Sequence, residues 1–291
     1  MSKRVVTFGD VIDDIVVVPQ GTVRPDTDTT SVIRQTPGGS AANTAAWLAE
    51  LGVSVDFVGR VGAADFERQV SDMTEAGVTP HLSADPDLPT GRIVIIVDGN
   101  VRTMFTDKGA NVNFSPDDVT DALLTEAAVV HVGGYSVMHD PDAVRRLIAR
   151  ARAVDTEVSL DPSSAGFLTD FGIHRFLNVA EGASILMPNL DEGRVLTGIE
   201  DALAIAAALA ERFETVALTL GMDGCVVAGP GLPPTLVGAV PAVLVDPTGA
   251  GDSFSAGFLA EWTSSRDAVA AARAGSQVAA RAVATIGARP D

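Results

Sequence analysis

The strongest constraint on the fold of this 291-residue chain is a regular alternation of strand-like and helix-like segments from about residue 110 onwards. Short apolar runs such as Val158 to Leu160 and Val216 to Leu220 are typical of buried strands. Segments with apolar residues at helical spacing separate these runs, and the connections are short. Parallel strands need crossover helices of this kind. The alternation therefore predicts an α/β fold, a three-layer sandwich with a mostly parallel central sheet.

Glycine and polar residues directly follow most of the predicted strands. They are Gly9-Asp10, Gly133-Gly134, Asp161, Asn189, Gly221 and Asp246. Ligands of open parallel sheets bind beyond the carboxyl ends of the strands. We therefore expect these residues to lie along one edge of the molecule, at its binding site.

A second group of strand-like segments interrupts the α/β rhythm. They are Ile12 to Val18, Ser31 to Gln35, Gly91 to Val97 and Val101 to Phe105. Asp98-Gly99-Asn100 is typical of a hairpin turn between the last two. Since the chain has no repeats and no long linker, we expect one domain over residues 1–291. A small β-sheet would form a lid from inserted segments at about 12–36 and 88–107.

The stretch Asp246-Pro247-Thr248-Gly249-Ala250-Gly251-Asp252 is expected to join a strand ending at Val243 to Val245 to a helix. Its glycines let backbone N–H groups approach a ligand, and the positive end of the helix dipole favours an anion there. Asp252, in the first helical turn, is positioned to accept a proton from a hydroxyl group. A tight turn followed by a helix-favouring acid would explain an isolated Gly-Ala-Gly-Asp equally well. Together, an anion site and a base are what phosphoryl transfer to an alcohol needs.

A second glycine turn, Gly38-Gly39, opens a second predicted helix, with Ser40 as its expected N-cap. A simple loop would explain two glycines, but small residues continue into the helix, as if a ligand approached closely. Asp13 and Asp14 lie within an otherwise apolar strand, where carboxylates are unfavourable. An edge or a turn, and a carboxylate directed at substrate hydroxyls, are both open explanations.

Composition excludes several classes of function. The formal net charge of −18 argues against a nucleic-acid partner. No apolar run reaches the ~18 residues of a membrane span, so no membrane partner is expected. The single Cys225 cannot form an internal disulfide, and the N-terminus lacks the apolar run of a signal peptide. These features predict a cytoplasmic protein.

Four motifs, in the same order, resemble those of the ribokinase-like (PfkB) carbohydrate kinase family over essentially the whole chain. They are Gly38 to Asn43, Asn189 to Glu192 (NxxE), Thr219 to Gly224 (TLGxxG) and Asp246 to Asp252. The resemblance implies a Rossmann-like, ribokinase-like sandwich. It also implies transfer of the γ-phosphoryl group of ATP to a hydroxyl of a sugar. A nucleoside such as adenosine or pseudouridine is the alternative acceptor.

The resemblance also implies roles for matching residues. Asp252 would be the catalytic base. The anion hole would be formed by the N–H groups of Gly249, Ala250 and Gly251. Glu192 would act through Mg²⁺ and its waters, and Asn189 would contact phosphates. The nucleotide site would include Thr219, Gly221 and Gly224, and the acceptor site would include Asp14, Gly38, Gly39 and Asn43.

Other expectations are less direct. Arg102, on the predicted hairpin, is a candidate for substrate contact, with surface solvation as the alternative. Ribokinases carry a sugar-binding Glu where this chain has Gly133-Gly134-Tyr135, and a ribose-binding Asn falls at Ile12. Both changes favour a non-ribose sugar or a nucleoside. A monovalent cation (K⁺) is common in the family, although Thr285 to Pro290 does not establish a site for one.

The resemblance has consequences for assembly and for the class of function. In the family the small sheet is a lid and often a dimer contact, so we expect a homodimer formed through it. A non-catalytic nucleotide- or sugar-binding regulator would share the fold. Asp252 favours an enzyme, because binding alone does not need a base beside an anion site.

Overall fold

Strands and helices were assigned from a computed structural model that describes residues 4–98 and 101–290. The strands in this part of the chain are β1 (Val5–Gly9), β2 (Ile12–Pro19), β3 (Ser31–Gly38), β4 (Val55–Gly62), β5 (Thr79–Asp85), β6 (Gly91–Asp98), β7 (Val101–Asp107), β8 (Val129–Gly133), β9 (Glu157–Asp161), β10 (Ile185–Leu186), β11 (Thr215–Thr219), β12 (Cys225–Gly229) and β13 (Leu232–Val237). The α-helices are α1 (Ser40–Glu50), α2 (Phe66–Glu75), α3 (Asp121–Glu126), α4 (Gly134–His139), α5 (Pro141–Ala153), α6 (Ala165–Phe171), α7 (Ile173–Val179), α8 (Leu190–Thr197), α9 (Ala202–Ala210), α10 (Ala250–Ser265) and α11 (Ala268–Ala282).

The larger sheet follows the strand order β13-β12-β11-β10-β9-β8-β1-β4-β5. All neighbours from β11 to β5 run parallel, while the β12–β13 hairpin adds an antiparallel edge. Successive side chains of β1 point to opposite faces. Val6 and Phe8 pack in one buried cluster with Leu147 of α5, and Val5 packs in another with Phe258 of α10. Helices therefore cover both faces, and the predicted α/β sandwich is confirmed.

A smaller sheet, separate from the first, has the order β3-β2-β6-β7. Strand β2 is internal to it, antiparallel to β3 and parallel to β6. The predicted second sheet is thereby confirmed. Its action as a lid, and the division of the chain into one domain with two inserted segments, stay predictions. Gly99 and Asn100 of the predicted turn, and the side chain of Arg102, lie outside the described residues.

The expected strand at Val243 to Val245 is wrong. These residues form an exposed loop, in which Val243 is 78% exposed. The edge of the large sheet is occupied instead by β13, whose prolines suit an edge strand because they donate no ladder hydrogen bond. Val245 and Asp246 donate their N–H groups to the carbonyl oxygen of Val283, so the C-terminal segment holds the start of the glycine motif.

None of the helices in the described part of the chain combines the length and apolar character needed to cross a bilayer.

Candidate active site

A cavity of about 310 Å³ opens where several strand ends meet the first turn of α10. Its wall contains Asp161, Asn189, Glu192, Thr219, Gly249, Ala250, Gly251 and Asp252. The predicted catalytic group and part of the predicted nucleotide group thus come together at one site. The parallel sheet explains this, because its strands end on the same side. Gly221 and Gly224 are not in this wall.

Asp252 is held by two side chains of α1. Ser40 Oγ donates a hydrogen bond to Asp252 Oδ1 at 2.7 Å, and Asn43 Nδ2 donates to Oδ2 at 2.9 Å. Although Asp252 keeps partial solvent exposure, desolvation raises the pKa of its carboxyl group to about 7, against the effect of these two hydrogen bonds. A carboxyl group with a pKa near neutrality can take up and release a proton at physiological pH.

The expected N-cap role of Ser40 is wrong. Gly39 occupies the N-cap position of α1 with φ +94° and has no side chain that could cap the helix. The carboxylate of Asp10 instead accepts the N–H groups of Ser40, at 3.2 Å, and of Ala41, at 3.4 Å. A Cβ at Gly39 would lie 2.4 Å from the carbonyl oxygen of Asp10. This arrangement leaves the Ser40 hydroxyl to bind Asp252.

The three residues of the expected anion hole differ in whether the surrounding structure requires a glycine. Gly249 has φ +75°, and a Cβ there would lie 2.8 Å from Ala288 Cα, so the fold itself demands glycine. The N–H of Ala250 donates a long bond, 3.3 Å, to the carbonyl oxygen of Pro247. Gly251 has no left-handed φ, and a Cβ there would have no described atom within 4 Å. Neither the backbone conformation nor the packing of the described residues therefore requires glycine at position 251.

Asp13 and Asp14, the two carboxylates of β2, have different environments. Asp13 accepts hydrogen bonds from Arg68 Nη2 at 2.7 Å and Gln69 Nε2 at 3.1 Å, so it is a structural carboxylate. Asp14 is 7% exposed, and its Oδ1 has no hydrogen-bond partner among the described residues. Burial raises the pKa of Asp14 to about 6. A buried carboxylate oxygen without a partner is costly unless a ligand completes it.

Gly38 makes room for Asp14. A Cβ at residue 38 would lie 2.4 Å from Asp14 Oδ2. Strand β2 lies between two other strands, so the explanation of Asp14 as an edge or turn residue is wrong. Gly38 and Asp14 therefore lie side by side, and their contact with an acceptor stays a prediction.

Asn189 and Glu192 form a reciprocal cap at the start of α8. Asn189 Oδ1 accepts the Glu192 N–H at 2.9 Å, and Glu192 Oε2 accepts the Asn189 N–H at 2.8 Å. Burial raises the pKa of Glu192 to about 7. Burial, followed by the charge of Glu192, likewise raises the pKa of Asp161 to about 7. The sequence places Asp161 at the binding edge of the sheet but assigns it no role, and the structure puts it in the cavity wall.

The pair of carboxyl groups suits a divalent cation only in part. The residues described here contain no group of three or more His, Cys, Asp or Glu side chains able to hold a metal ion. Mg²⁺ keeps several waters and is usually bound through one or two carboxylates plus substrate phosphates. Glu192 and Asp161 fit that mode of binding.

The turn after β11 contains the predicted nucleotide residues. Thr219 lies in the cavity wall, and its N–H donates to the carbonyl oxygen of Pro188 at 2.9 Å. Gly221 and Gly224 have φ +60° and +103°, and a Cβ at 224 would lie 2.1 Å from the carbonyl oxygen of Val237. The turn geometry therefore explains both glycines, and their contact with a nucleotide stays a prediction.

A residue that the sequence did not identify contacts two of the predicted acceptor residues. Arg289, beyond α11, donates from Nε to Asn43 Oδ1 at 3.1 Å and from Nη2 to the Gly38 carbonyl oxygen at 2.8 Å. Trp47 Nε1 donates to the carbonyl oxygen of Ala288 at 2.9 Å and holds the same segment. Arg289 belongs to no strand or helix, so no periodic pattern marks it.

Comparison with known proteins places the chain among the kinases. Residues 2–291 match the pfkB family carbohydrate kinase, and the chain belongs to this family. The resemblance seen in the sequence, and the enzyme class it implied, are confirmed.

Three proteins illustrate the similarity. An uncharacterized sugar kinase of Archaeoglobus fulgidus is 27% identical over 245 residues, covering 83% of this chain and 96% of that protein. An adenosine kinase of Saccharomyces cerevisiae is 28% identical over 267 residues, covering 86% of this chain and 78% of that protein. The crystal structure of adenosine kinase from Sinorhizobium meliloti has a TM-score of 0.88 and 28% identity, covering 100% of this chain and 96% of that one.

Proposed function

We propose that this kinase transfers the γ-phosphoryl group of ATP to a hydroxyl group of a sugar or related small molecule, with Asp252 as the base. The observation that carries the proposal is the setting of Asp252. Two hydrogen bonds from α1 orient its carboxylate, its pKa is about 7, and it lies in the first turn of α10. A general base works best when its pKa lies near the operating pH.

The reaction uses the two parts of the site together. The hydroxyl oxygen of the acceptor forms a bond to the γ-phosphorus while the bond from that phosphorus to the β–γ bridging oxygen breaks, and ADP leaves. The hydroxyl proton passes to the carboxylate of Asp252. The N-terminus of α10, with Gly249, Ala250 and Gly251, stabilises the negative charge on the transferred group.

The nucleotide side lies at the ends of β10 and β11. Asn189 and Thr219 would contact the phosphates, and the turn with Gly221 and Gly224 would bind the rest of the nucleotide. Glu192, with Asp161 beside it, would hold Mg²⁺ through its waters. When bound, Mg²⁺ supplies neutralisation of the phosphate charge.

The acceptor side lies between β2 and the start of α1. The unpaired Oδ1 of Asp14 would accept a hydrogen bond from an acceptor hydroxyl, with Gly38 and Gly39 allowing its close approach. Asn43 already binds Asp252 and Arg289, so its first role is to orient the base. Contact between Arg102 and the acceptor stays a prediction, because that side chain lies outside the described residues.

A nucleoside acceptor is the second candidate, and an aromatic pair favours it. Tyr135 lies in the cavity wall, is 40% exposed, and packs edge to face on Phe167 with ring centroids 5.5 Å apart. An exposed aromatic ring in the same cavity as Asp252 offers a surface on which a flat nucleobase can stack. A sugar that carries no nucleobase would leave this ring uncovered. The similarity to adenosine kinases supports the same acceptor class.

The test is a coupled assay of ADP release with Mg²⁺–ATP against sugars, sugar acids, sugar phosphates and nucleosides. The proposal expects turnover that depends on the added acceptor. Asp252→Asn should lower kcat about 10²-fold or more, the scale of general-base loss. Asp170→Asn, an exposed change on α6, is the matched control. Binding of several compounds without turnover would instead favour a non-catalytic regulator.

Assembly and ion dependence are further parts of the proposal. A homodimer through the small sheet is supported by its exposed apolar residues Ile33, Met104 and Phe105, and a monomer by light scattering at micromolar concentration would contradict it.

Activation by K⁺ near Thr285 to Pro290 is tested by exchanging K⁺ for tetramethylammonium in the assay. The buried thiol of Cys225 is consistent with a reducing cytoplasm.

A further inference from the structure

Arg289 reaches the acceptor side of the site from the segment that follows α11. Its half-buried guanidinium group donates to two neutral oxygen atoms, Asn43 Oδ1 at 3.1 Å and the Gly38 carbonyl oxygen at 2.8 Å. These contacts join the C-terminal segment to α1 and to the end of β3. Asn43 is hydrogen-bonded to Asp252, and Gly38 lies against the carboxylate of Asp14.

The bond to Asn43 determines which way its amide faces. A guanidinium group has only donors, so the Asn43 atom facing Arg289 must be the oxygen. The amide nitrogen then faces Asp252, whose ionised carboxylate has only acceptors. A reversed amide would direct an oxygen at the carboxylate and an N–H group at the guanidinium, and both contacts would be repulsive. Arg289 therefore acts on the base through Asn43, which is 5% exposed and has little freedom to reorient.

The charge of Arg289 also bears on Asp14. Burial lowers the pKa of Arg289 to about 10, which leaves the group positive at neutral pH. Its charge lowers the pKa of Asp14, opposing burial. The other charged groups that face this region are Asp10 after β1, Asp13 on β2, Arg68 and Asp72 on α2, and Asp252 on α10. Arg68 is hydrogen-bonded to Asp13, so Arg289 is the cation that acts on Asp14 itself.

We propose that Arg289 is a positioning residue for the acceptor side of the site: it fixes the Asn43 amide toward Asp252 and supplies the positive charge opposite Asp14. The inference rests on the proposed function, in which Asp252 is the base and Asp14 binds the acceptor. Arg289 lies outside all four sequence motifs, so the proposal gives the C-terminal segment a role in the reaction that the motifs do not indicate.

Two substitutions separate the effect of Arg289 on the orientation of the Asn43 amide from the effect of its positive charge on Asp14. Arg289→Lys keeps the charge but loses the planar fork that reaches two oxygen atoms. It should lower kcat, by up to about 10²-fold for a misplaced reacting group, and raise the pKa of Asp252, which loses the Asn43 hydrogen bond, while the pKa of Asp14 stays near its wild-type value. Arg289→Met removes both effects. It should lower kcat similarly and raise the pKa of both Asp252 and Asp14, so the acid limb of kcat/KM for the acceptor should move to higher pH than in Arg289→Lys.

The experiment measures pH–rate profiles with Mg²⁺–ATP, using adenosine and D-fructose as acceptor probes, for the wild type and both variants. Arg145→Met, which removes an exposed arginine on α5, is the matched control. The KM for Mg²⁺–ATP should stay unchanged in all variants. In parallel, NMR titration of ¹³C-labelled aspartate carboxyl groups reports the pKa of Asp14 and Asp252 without any need for turnover.

The outcomes are distinct. A higher Asp14 pKa in Arg289→Met, absent from Arg289→Lys and Arg145→Met, together with a higher Asp252 pKa in both Arg289 variants, would support the proposal. A folded Arg289→Met protein whose carboxyl pKa values and acid limb of kcat/KM match the wild type would overturn the proposal. An equal loss of all kinetic constants and of thermal stability in both variants would also overturn it. A raised Asp14 pKa in a protein that phosphorylates no acceptor would support the role of Arg289 in the site and contradict the proposed function.

Discussion

Ser40 Oγ lies 2.7 Å from Asp252 Oδ1, so the first residue of α1 binds a carboxylate 212 positions further along the chain. The two glycine turns, at Gly38-Gly39 and at Gly249 to Gly251, therefore belong to one site. One turn begins helix α1, which donates hydrogen bonds to Asp252, and the other begins helix α10, which contains Asp252. This contact makes the ionisation of Asp252 depend on α1.

Ser40→Ala should make the enzyme more sensitive to acid. The Ser40 hydroxyl stabilises the ionised carboxylate and so lowers the pKa of Asp252, which is about 7 in its presence. Without this hydrogen bond the pKa rises, and a larger fraction of the base is protonated at any pH below it. The rate loss should be larger at pH 6.5 than at pH 9, as measured by kcat/KM profiles. A pH-independent loss, or a loss shared by the exposed control Ser71→Ala, would contradict this explanation.

Gly251→Ala should separate stability from activity. The position has ordinary backbone angles and open space for a methyl group, and alanine is favoured over glycine in helices by up to about 1 kcal/mol. The melting temperature should therefore stay the same or rise. The rate should fall, by up to about 10²-fold, because the methyl group displaces the phosphoryl group from the helix N-terminus.

The comparison variant for that prediction is Gly249→Ala, which meets both a positive φ and the backbone of Ala288. It should be destabilised as well as inactive. Full activity of Gly251→Ala would remove the argument that a ligand approaches this residue.

Glu192→Gln should change the Mg²⁺ requirement and leave the fold intact. Glutamine can keep the reciprocal cap with Asn189, so helix α8 should keep its stability. Loss of the negative charge should raise the Mg²⁺ concentration needed for half-maximal rate, with little change in acceptor KM. Asp191→Asn, the exposed neighbouring carboxylate, is the control. If acceptor KM moved instead, Glu192 would belong to the acceptor side.

Gly38→Ala should weaken acceptor binding selectively. Its Cβ would lie 2.4 Å from Asp14 Oδ2, which forces the buried carboxylate to move. Acceptor KM should rise several-fold while KM for Mg²⁺–ATP stays constant. Gly238→Ala, where a Cβ meets no described atom within 4 Å, is the matched control. An unchanged acceptor KM would remove Asp14 from the acceptor site.

Local patterns were sufficient for much of the fold. Val158 to Leu160 lies within β9, and Val216 to Leu220 overlaps β11, because buried strands of a parallel sheet need continuous apolar side chains. The pattern failed at Val243 to Val245, where an equally apolar run forms an exposed loop. Apolar character alone does not distinguish a buried strand from an exposed loop.

The sequence by itself determined the α/β class and the two glycine turns and singled out Asp252 as the candidate base, since each depends on residue types within a few positions. Only the tertiary structure decided that Asp14 rather than Asp13 has an unpaired carboxylate oxygen, that Ser40 binds Asp252, and that Arg289 orients Asn43. These contacts join residues far apart in the chain. Their geometry depends on how helices and the C-terminal segment pack, and local sequence periodicity carries no information about such distances.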